Sequence, residues 1–308
     1  MTEFLIGTGG WTYFNIPGVN PLAAYSKVFN YVEVNSTFYE IPLMERVKAW
    51  RKMVPQNFKF SVRCNRRLTH ELKFEPVSEA FEILDKMVAI CNVLEAEVIH
   101  FQTPPYFGFD KTNSERVKDF FASANMGSLR IALEKRNPNP FTLQFTRSLE
   151  DLKIIHCVDL LKEEPKYQSD ILYTRLFGRG SHNIYQPLDN ELGQVNLLAS
   201  RESVKKALVT FHFVRMYKDA IRFKIYKETG EFPMVTKSTG VSSLEEVLRE
   251  DARFPAAKRD LLVDQGWKII DLTATDRVRA ADLLQRLPEK NYNGIGDIVH
   301  TLGNLKLE

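Results

Sequence analysis

FLIGTGGWTYF, residues 4–14, is the stretch whose reading decides the fold. An apolar run enters three glycines and is followed by the aromatic rings of Trp11 and Tyr13. A phosphate-cradling loop would need Gly-Lys-Ser/Thr at a helix N-terminus, so that backbone N–H groups and the lysine converge on the phosphates. Residues 7–14 supply neither the lysine nor an immediate helix. The dinucleotide fingerprint fails as well, because its third glycine is missing and Trp11 and Tyr13 fill the turn. What remains is a first β-strand whose glycines let the backbone swing outward at its C-terminal end, with Trp11 and Tyr13 lining the mouth of a barrel. The alternative for these rings is plain loop packing.

Seven further runs have the same character: YVEVNS (31–36), FKFSV (58–62), EVIHFQ (97–102), LRIALE (129–134), KIIHCVD (153–159), ILYTRLFG (171–178) and ALVTFHF (207–213). Between them, apolar residues at helical spacing predict helices over Leu22–Phe29, Glu45–Met53, Val77–Leu94, Ser114–Ala124 and Phe141–Leu149. A chain that alternates strand and helix in this way, with strands apolar on both faces, is most economically closed as an α/β (β/α)8 TIM-type barrel. An open doubly wound sheet is the alternative. The pattern changes after Glu228, so residues 1–228 are expected to form the barrel and 229–308 a small C-terminal α/β appendage. Within the appendage, Ser242 or Ser243 is the expected N-cap of a helix, GWKIIDLT (266–273) a strand, DRVRAADLLQRL (276–287) a helix opened by Asp276, and NGIGDIVHTL (293–302) another helix.

With 44% hydrophobic residues the 308-residue chain can bury a large core, and no apolar run approaches the roughly 20 residues of a membrane helix. Nothing near the start resembles a secretory leader. A cytoplasmic protein with no membrane association is expected. Cys64, Cys91 and Cys157 are odd in number and widely spaced, which argues for reduced thiols, with Cys91 in the core. Lys plus Arg exceed Asp plus Glu by 42 to 39, too small a surplus to require a polyanionic partner. Local clusters matter more: Arg63, Arg66 and Arg67, and later Arg215, Lys218, Arg222 and Lys224. Either cluster is equally readable as a solvated face.

In such a barrel, working residues sit at the C-terminal ends of strands and in the loops that follow. Those positions hold Trp11 and Tyr13; Asn35, Thr37 and Tyr39; Arg63, Thr69 and His70; Gln102; Glu134 and Arg136; Asp159; Arg175; and His212. His70 is the first candidate for proton transfer, since it follows a strand and titrates near neutrality, although Thr69 and His70 could equally serve as caps. Glu134 and Asp159 could divide acid and base roles, although Glu134 and Arg136, two apart on a strand, could simply pair. His100 and His156 lie inside strands and read as satisfied core histidines. Glu33, Glu134, Asp159, His70 and His212 are too poor in histidine for a zinc cluster; no metal site is assigned, and Mg²⁺ or Mn²⁺ would suit the carboxylates best. Arg63, Arg136 and Arg175 come from alternate strands, so their guanidiniums could converge on one phosphate or carboxylate, with nearby rings, Tyr106 among them, stacking a base or sugar.

In combination, IGTGGWTY (6–13), VEVNSTFYEIP (32–42), Trp50, the segment from Pro55 to His70, FQTPPYF (101–107) and YTRLFG (173–178) resemble the successive motifs of the YecE-like family, domain of unknown function 72, over residues 4–225. The resemblance implies a TIM barrel. Through likeness to the endonuclease-four type of barrel it also implies a nucleic-acid role, by fold analogy. Carried over by position, it marks the rim residues named above other than His212, together with Glu33, Pro104, Pro105 and Tyr173. The chain departs from the family pattern at Phe177, where a histidine is usual, and around His212, where paired asparagines are frequent. These readings together predict an enzyme hydrolysing a phosphate-bearing substrate such as nucleic acid, with the arginines holding the anion and His70, Glu134 and Asp159 moving protons. Two alternatives stand beside it: a non-catalytic nucleic-acid or anion-binding module whose appendage recruits a protein partner, and a carbohydrate-processing barrel resting on the paired carboxylates.

Overall fold

The computed structural model describes residues 2–304. They divide into two compact units, one made of the residues up to Leu176 with Asn196–His212, the other of Phe177–Val195 with the residues from Phe213 onward. The chain thus passes between units three times, where the sequence suggested one boundary at 228.

All eight sequence-predicted strands form: β1 (Glu3–Thr8), β2 (Tyr31–Val34), β3 (Lys59–Arg63), β4 (Val98–Gln102), β5 (Arg130–Glu134), β6 (Ile155–His156), β7 (Ile171–Leu176) and β8 (Lys206–Phe211). They are parallel, paired in the order β2-β3-β4-β5-β6 in one sheet and β1-β8-β7 in another. Every residue of β2, β4 and β7 is buried, as expected of parallel strands covered on both faces. The intervening helices include α1 (Pro21–Tyr25), α2 (Met44–Met53), α3 (Ser78–Leu94), α4 (Lys111–Ser123), α5 (Leu143–Asp151) and α6 (Asp189–Ala199). On α3 the buried residues Ala80, Ile83, Leu84, Met87, Ile90, Cys91 and Leu94 recur every three or four positions, so one stripe faces the sheet. No helix among the described residues is long and apolar enough to cross a membrane.

The two sheets share one buried cluster, with Leu5, Tyr31, Val98, Ala132, Ile155, Tyr173 and Leu208 drawn from seven of the eight strands. Ser61 of β3 brings a hydroxyl to the same level, 2.7 Å from Tyr31 Oη and 2.8 Å from Tyr173 Oη. Two seams separate the sheets. Between β6 and β7 a single parallel bridge joins Val158 to Thr174. Between β1 and β2 a side chain does the joining: Tyr25 Oη accepts from the Thr8 N–H at 3.0 Å and donates to the Tyr31 carbonyl at 2.9 Å. Gly7 is required there, because a Cβ would lie 2.2 Å from the Tyr31 carbonyl oxygen.

In the second unit, α7 (Met216–Thr229), α8 (Gly240–Arg249), α9 (Lys258–Gln265), α10 (Ala280–Leu284) and α11 (Ile295–Asn304) accompany two small antiparallel pairs, β9 (Ala256–Ala257) with β12 (Asn291–Tyr292) and β10 (Ile269–Asp271) with β11 (Arg277–Arg279). Two local expectations are corrected here. The helix expected from Asp276 begins only at Ala280, because Arg277–Arg279 pairs with Ile269–Asp271 as a hairpin. Ser243 lies inside α8 rather than capping it, buried, with its hydroxyl accepting from the Asp271 N–H at 2.9 Å.

Replacing Tyr25 by Phe removes the hydroxyl at the first seam and leaves the buried Thr8 N–H without that acceptor. The expected loss is about 1–3 kcal/mol, read as a lower denaturant midpoint with unchanged slope. An unchanged midpoint would show that the seam does not depend on this hydroxyl.

Candidate functional site

Strand alternation places Tyr31 and Glu33 on one face of β2, and Tyr173 and Arg175 on one face of β7. The four meet inside the first unit. Arg175, 1% exposed, grips Glu33 with both ends of its fork: Nε donates to Oε2 at 2.8 Å and Nη2 to Oε1 at 2.9 Å. Its Nη1 donates to Glu134 Oε2 at 2.6 Å. Tyr173 Oη adds a hydrogen bond to Glu33 Oε2 at 2.5 Å. Glu134, at the end of β5, is also paired with Arg136 at 2.7 Å and lies 3.0 Å from His100 Nε2. His212 Nε2 stands 3.5 Å from Glu33 Oε1. Gly9 of the opening loop is tied to this layer, since a Cβ there would fall 2.1 Å from His212 Cε1.

Arg63 completes the cluster on different terms. It is buried, at 6% exposure, with Cζ 3.5 Å from the centroid of the Phe38 ring. Its Nη1 donates to Asn35 Oδ1 at 2.7 Å and its Nη2 to Gln102 Oε1. Both partners are neutral amides. Arg63 Nε and Gln102 Nε2 are buried donors with no hydrogen-bond partner among the described residues. Arg175 and Arg136 are thus joined directly to carboxylates, whereas the side-chain hydrogen bonds of Arg63 go to amides.

The titrations follow from this. Burial alone would raise the Glu33 carboxyl, but the Arg175 charge outweighs it and holds it below its usual range. Glu134 is likewise held well below its range, burial being overcome by Arg175 and Arg136. Burial, followed by the Arg175 charge, pushes His100 down to about 4 and His212 well below its ordinary value. Burial, then repulsion from Arg175, lowers Arg63 to about 10. At neutral pH both carboxylates are ionised and the two core imidazoles are neutral.

Around Arg63 lies a rim of rings. The Tyr39 ring meets Phe38 edge-on at 5.1 Å, His70 meets Phe38 at the same distance, and Tyr106 Oη donates to the His70 carbonyl at 3.2 Å. Tyr39 and Tyr106 are 68% and 67% exposed. Thr69 and His70 lie in a single π-helical turn, Arg67–Glu71, with Thr69 Oγ1 2.8 Å from His70 Nδ1. Burial, then the charges of Arg63 and Arg66, lower His70 to about 4, so it is a neutral imidazole near neutrality.

The structure thus gathers Asn35, Tyr39, Arg63, His70 and Gln102 at one place, and Glu134, Arg136 and Arg175 just beneath. Other sequence candidates do different work. Thr37 Oγ1 donates to the Val34 and Arg63 carbonyls and braces the loop after β2. Trp11 meets Trp50 edge-on at 5.3 Å, as loop packing would, whereas Tyr13 is 84% exposed. Asp159 accepts from the Leu161 N–H at 3.1 Å and lies 3.4 Å from Lys162 Nζ. Arg66 and Arg67 pair with Glu71, and Arg67 also with Glu79, as a solvated face would. His156 is a core histidine whose Nδ1 accepts from the Lys166 N–H at 3.0 Å. Glu33 carries the centre of the cluster, yet among the residues themselves it stood out only as a metal-ligand candidate. Its signal was a carboxylate inside a strand otherwise apolar on both faces.

His100, Glu134 and Cys157 bring one ligand atom each within 4.8 Å of one another. This set does not fit a cation. The Glu134 oxygen facing it already accepts from Arg175, and a metal there would meet that guanidinium. A thiolate would also be required, whereas burial, ahead of the nearby Glu134 charge, holds the Cys157 thiol well above its ordinary range. Nor does the set suit Mg²⁺ or Mn²⁺, which take oxygen donors.

The acid response of the fold follows in sign. Glu33 is depressed from its ordinary 4.5, so its contribution is full above that value and declines as pH falls toward the lower folded value. His100 and His212 are depressed from 6.5, so the unfolded chain takes up protons first as pH falls below that point. Both act in one direction. Denaturant midpoints are expected to hold at and above neutrality and to drop progressively below 6.5; a higher midpoint at pH 5 than at pH 7.5 would contradict this. Glu33→Gln is expected to lose about 3–5 kcal/mol at neutral pH, because it leaves Arg175 partly unpaired.

The family model described as Protein of unknown function DUF72 matches residues 5–222. The UPF0759 protein YunF of Bacillus subtilis (strain 168) is 27% identical over 151 residues, which span 47% of this chain and 53% of that protein. The match thus takes in about half the length of that curated relative. Among solved structures, a DUF72 family protein from Thermotoga maritima MSB8 superposes with a TM-score of 0.61 at 22% identity, over 73% of this chain and 99% of that one. Another, from Enterococcus faecalis V583, does so with a TM-score of 0.58 at 18% identity, over 74% and 98%. At such identities the likeness is one of fold. The chain is a member of the DUF72 family, the YecE-like family that its motifs resemble.

Proposed function

We propose that the eight strands act as one TIM-type barrel, closed across its two seams, and that its mouth captures a phosphate-bearing molecule at Arg63. One observation carries this reading: a buried guanidinium whose hydrogen-bond partners are two neutral amides. Burying an unmatched charge is unfavourable, and an incoming anion relieves that cost. The exposed Tyr39 and Tyr106 rings favour a nucleotide or short single strand over inorganic phosphate, because each offers a face on which a base can stack.

Hydrolysis is the catalytic form of this reading. His70 is neutral, is held by Thr69 and shares the Phe38 ring with Arg63, which suits a base that takes a proton from water beside the bound phosphate. A divalent cation such as Mg²⁺ would then enter with the phosphate rather than on a ready-made set of protein ligands. Capture without chemistry is the second reading. It is favoured by Glu33 and Glu134, both held ionised and so unable to protonate a leaving group. The same fact weighs against the carbohydrate reading, in which one carboxyl must stay protonated.

Nucleoside monophosphates and short single-stranded DNA are expected to bind the full chain saturably and more weakly as salt rises. Arg63→Gln is expected to weaken binding roughly tenfold or more, whereas Arg67→Gln leaves it unchanged. Equal affinity for parent and Arg63→Gln, measured by calorimetry, would remove the basis of the proposal. If phosphoesters are turned over, His70→Ala abolishes turnover while binding persists; binding without turnover in the parent selects the second reading.

A further inference from the structure

After β3, the π-helical turn Arg67–Glu71 runs out into two consecutive residues with left-handed backbone, Lys73 at φ 50° and Phe74 at φ 59°. Glycine takes this conformation without cost and is the common residue just past a helix end. Phe74 shows why the chain accepts it here. Its ring is fully buried, 5.5 Å from Phe121, 5.8 Å from Phe120, 6.1 Å from Phe107 and 6.2 Å from Phe101. Its N–H donates to the Leu68 carbonyl at 3.2 Å. Packing of that ring fixes the turn, and the turn fixes its neighbour.

Lys73 gains no burial in return. It is exposed, makes no ion pair among the described residues, and holds Nζ 5.5 Å from the centroid of the exposed Tyr106 ring. The other cations of this loop are spent, Arg66 on Glu71 and Arg67 on Glu71 and Glu79. Left-handed backbone in a side-chain-bearing residue persists only where its surroundings impose it, and such positions gather at ligand sites. This one lies at the mouth. Arg63 Cζ stands 3.5 Å from the Phe38 ring, Phe38 meets His70 at 5.1 Å, and the His70 carbonyl accepts from Tyr106 Oη at 3.2 Å. Phe38, His70 and Tyr106 thus form a continuous path of contacts from Arg63 to Lys73.

We infer that the mouth takes a single strand of two or more nucleotides in preference to a mononucleotide, with Lys73 holding a second phosphate and Tyr106 stacking a base beside it. The inference rests on the reading of Arg63 as the first phosphate seat. An exposed ammonium next to an exposed ring is what a strand offers its phosphate and base to, and such contacts are tolerant of sequence. Three side chains stand between the two cations, which suits phosphates separated by a nucleoside better than the directly joined phosphates of a nucleoside diphosphate.

Calorimetric titration of the full chain with thymidine 5′-monophosphate, thymidine 5′-diphosphate and a thymidine tetranucleotide tests this. The tetranucleotide is expected to bind roughly tenfold or more tightly than either mononucleotide. Lys73→Gln is expected to cut that advantage about threefold or more and to lower the salt slope of tetranucleotide binding by about 0.7, with Lys73→Glu cutting it further. Lys73→Gly is expected to weaken tetranucleotide binding as Lys73→Gln does while raising the denaturant midpoint, because glycine relieves the left-handed backbone. A merely structural lysine would not lose binding as stability rises. The inference is overturned if either mononucleotide binds as tightly as the tetranucleotide, or if Lys73→Gln and Lys73→Glu leave its affinity and salt slope intact. In that case a loss of binding in Arg63→Gln would keep the phosphate seat at Arg63 and remove only the second contact. Absence of binding by all three ligands would overturn both.

Discussion

The fork of Arg175 closed on Glu33 is the interaction around which the first unit is organised. A guanidinium and a carboxylate deep in a protein are each expensive to remove from water, and they persist only when geometry and further hydrogen bonds compensate. Here the compensation comes from several strands at once: Glu33 from β2, Arg175 and Tyr173 from β7, Glu134 from β5, with His100 of β4 and His212 after β8 close by. The pair therefore links β2 and β7, which belong to different hydrogen-bonded sheets.

From that pair follows the chemical character of the mouth. Arg175 is engaged with both carboxylates and Arg136 with Glu134, so neither is a ready seat for an outside anion. Arg63 differs because its neighbours are amides and a ring. The positive charge of Arg175 also lowers the affinity of His100 and Arg63 for protons, burial being the larger cause in both. The cluster thus holds ion-paired side chains below and an amide-bonded guanidinium above, a difference set by the layering of side chains along parallel strands.

The opening glycines take their meaning from the same packing. Gly7 has no side chain because the β2 backbone is against it, and Gly9 because the His212 ring is. They permit close approach within the protein, with no phosphate needed to explain them. The Tyr25 hydroxyl, placed between β1 and β2, does for that seam what a ladder hydrogen bond does elsewhere.

Eight strands, their parallel α/β alternation, the family and most of the rim residues were legible in the sequence, because apolar periodicity and strand-end position are local properties. Asn35, Arg63, His70 and Gln102 could be named as strand-end candidates from position alone. Which arginine would be free of carboxylates could not, since Arg63, Arg136 and Arg175 occupy equivalent strand ends and only packing decides whose fork meets Glu33. The hairpin that shortens the helix at Arg277–Arg279 was hidden for the same reason. Sequence determines which side chains alternate onto a face. The three-dimensional fold decides which charges are close enough to neutralise one another, because Coulomb and hydrogen-bond energies depend on distances that no spacing along the chain contains.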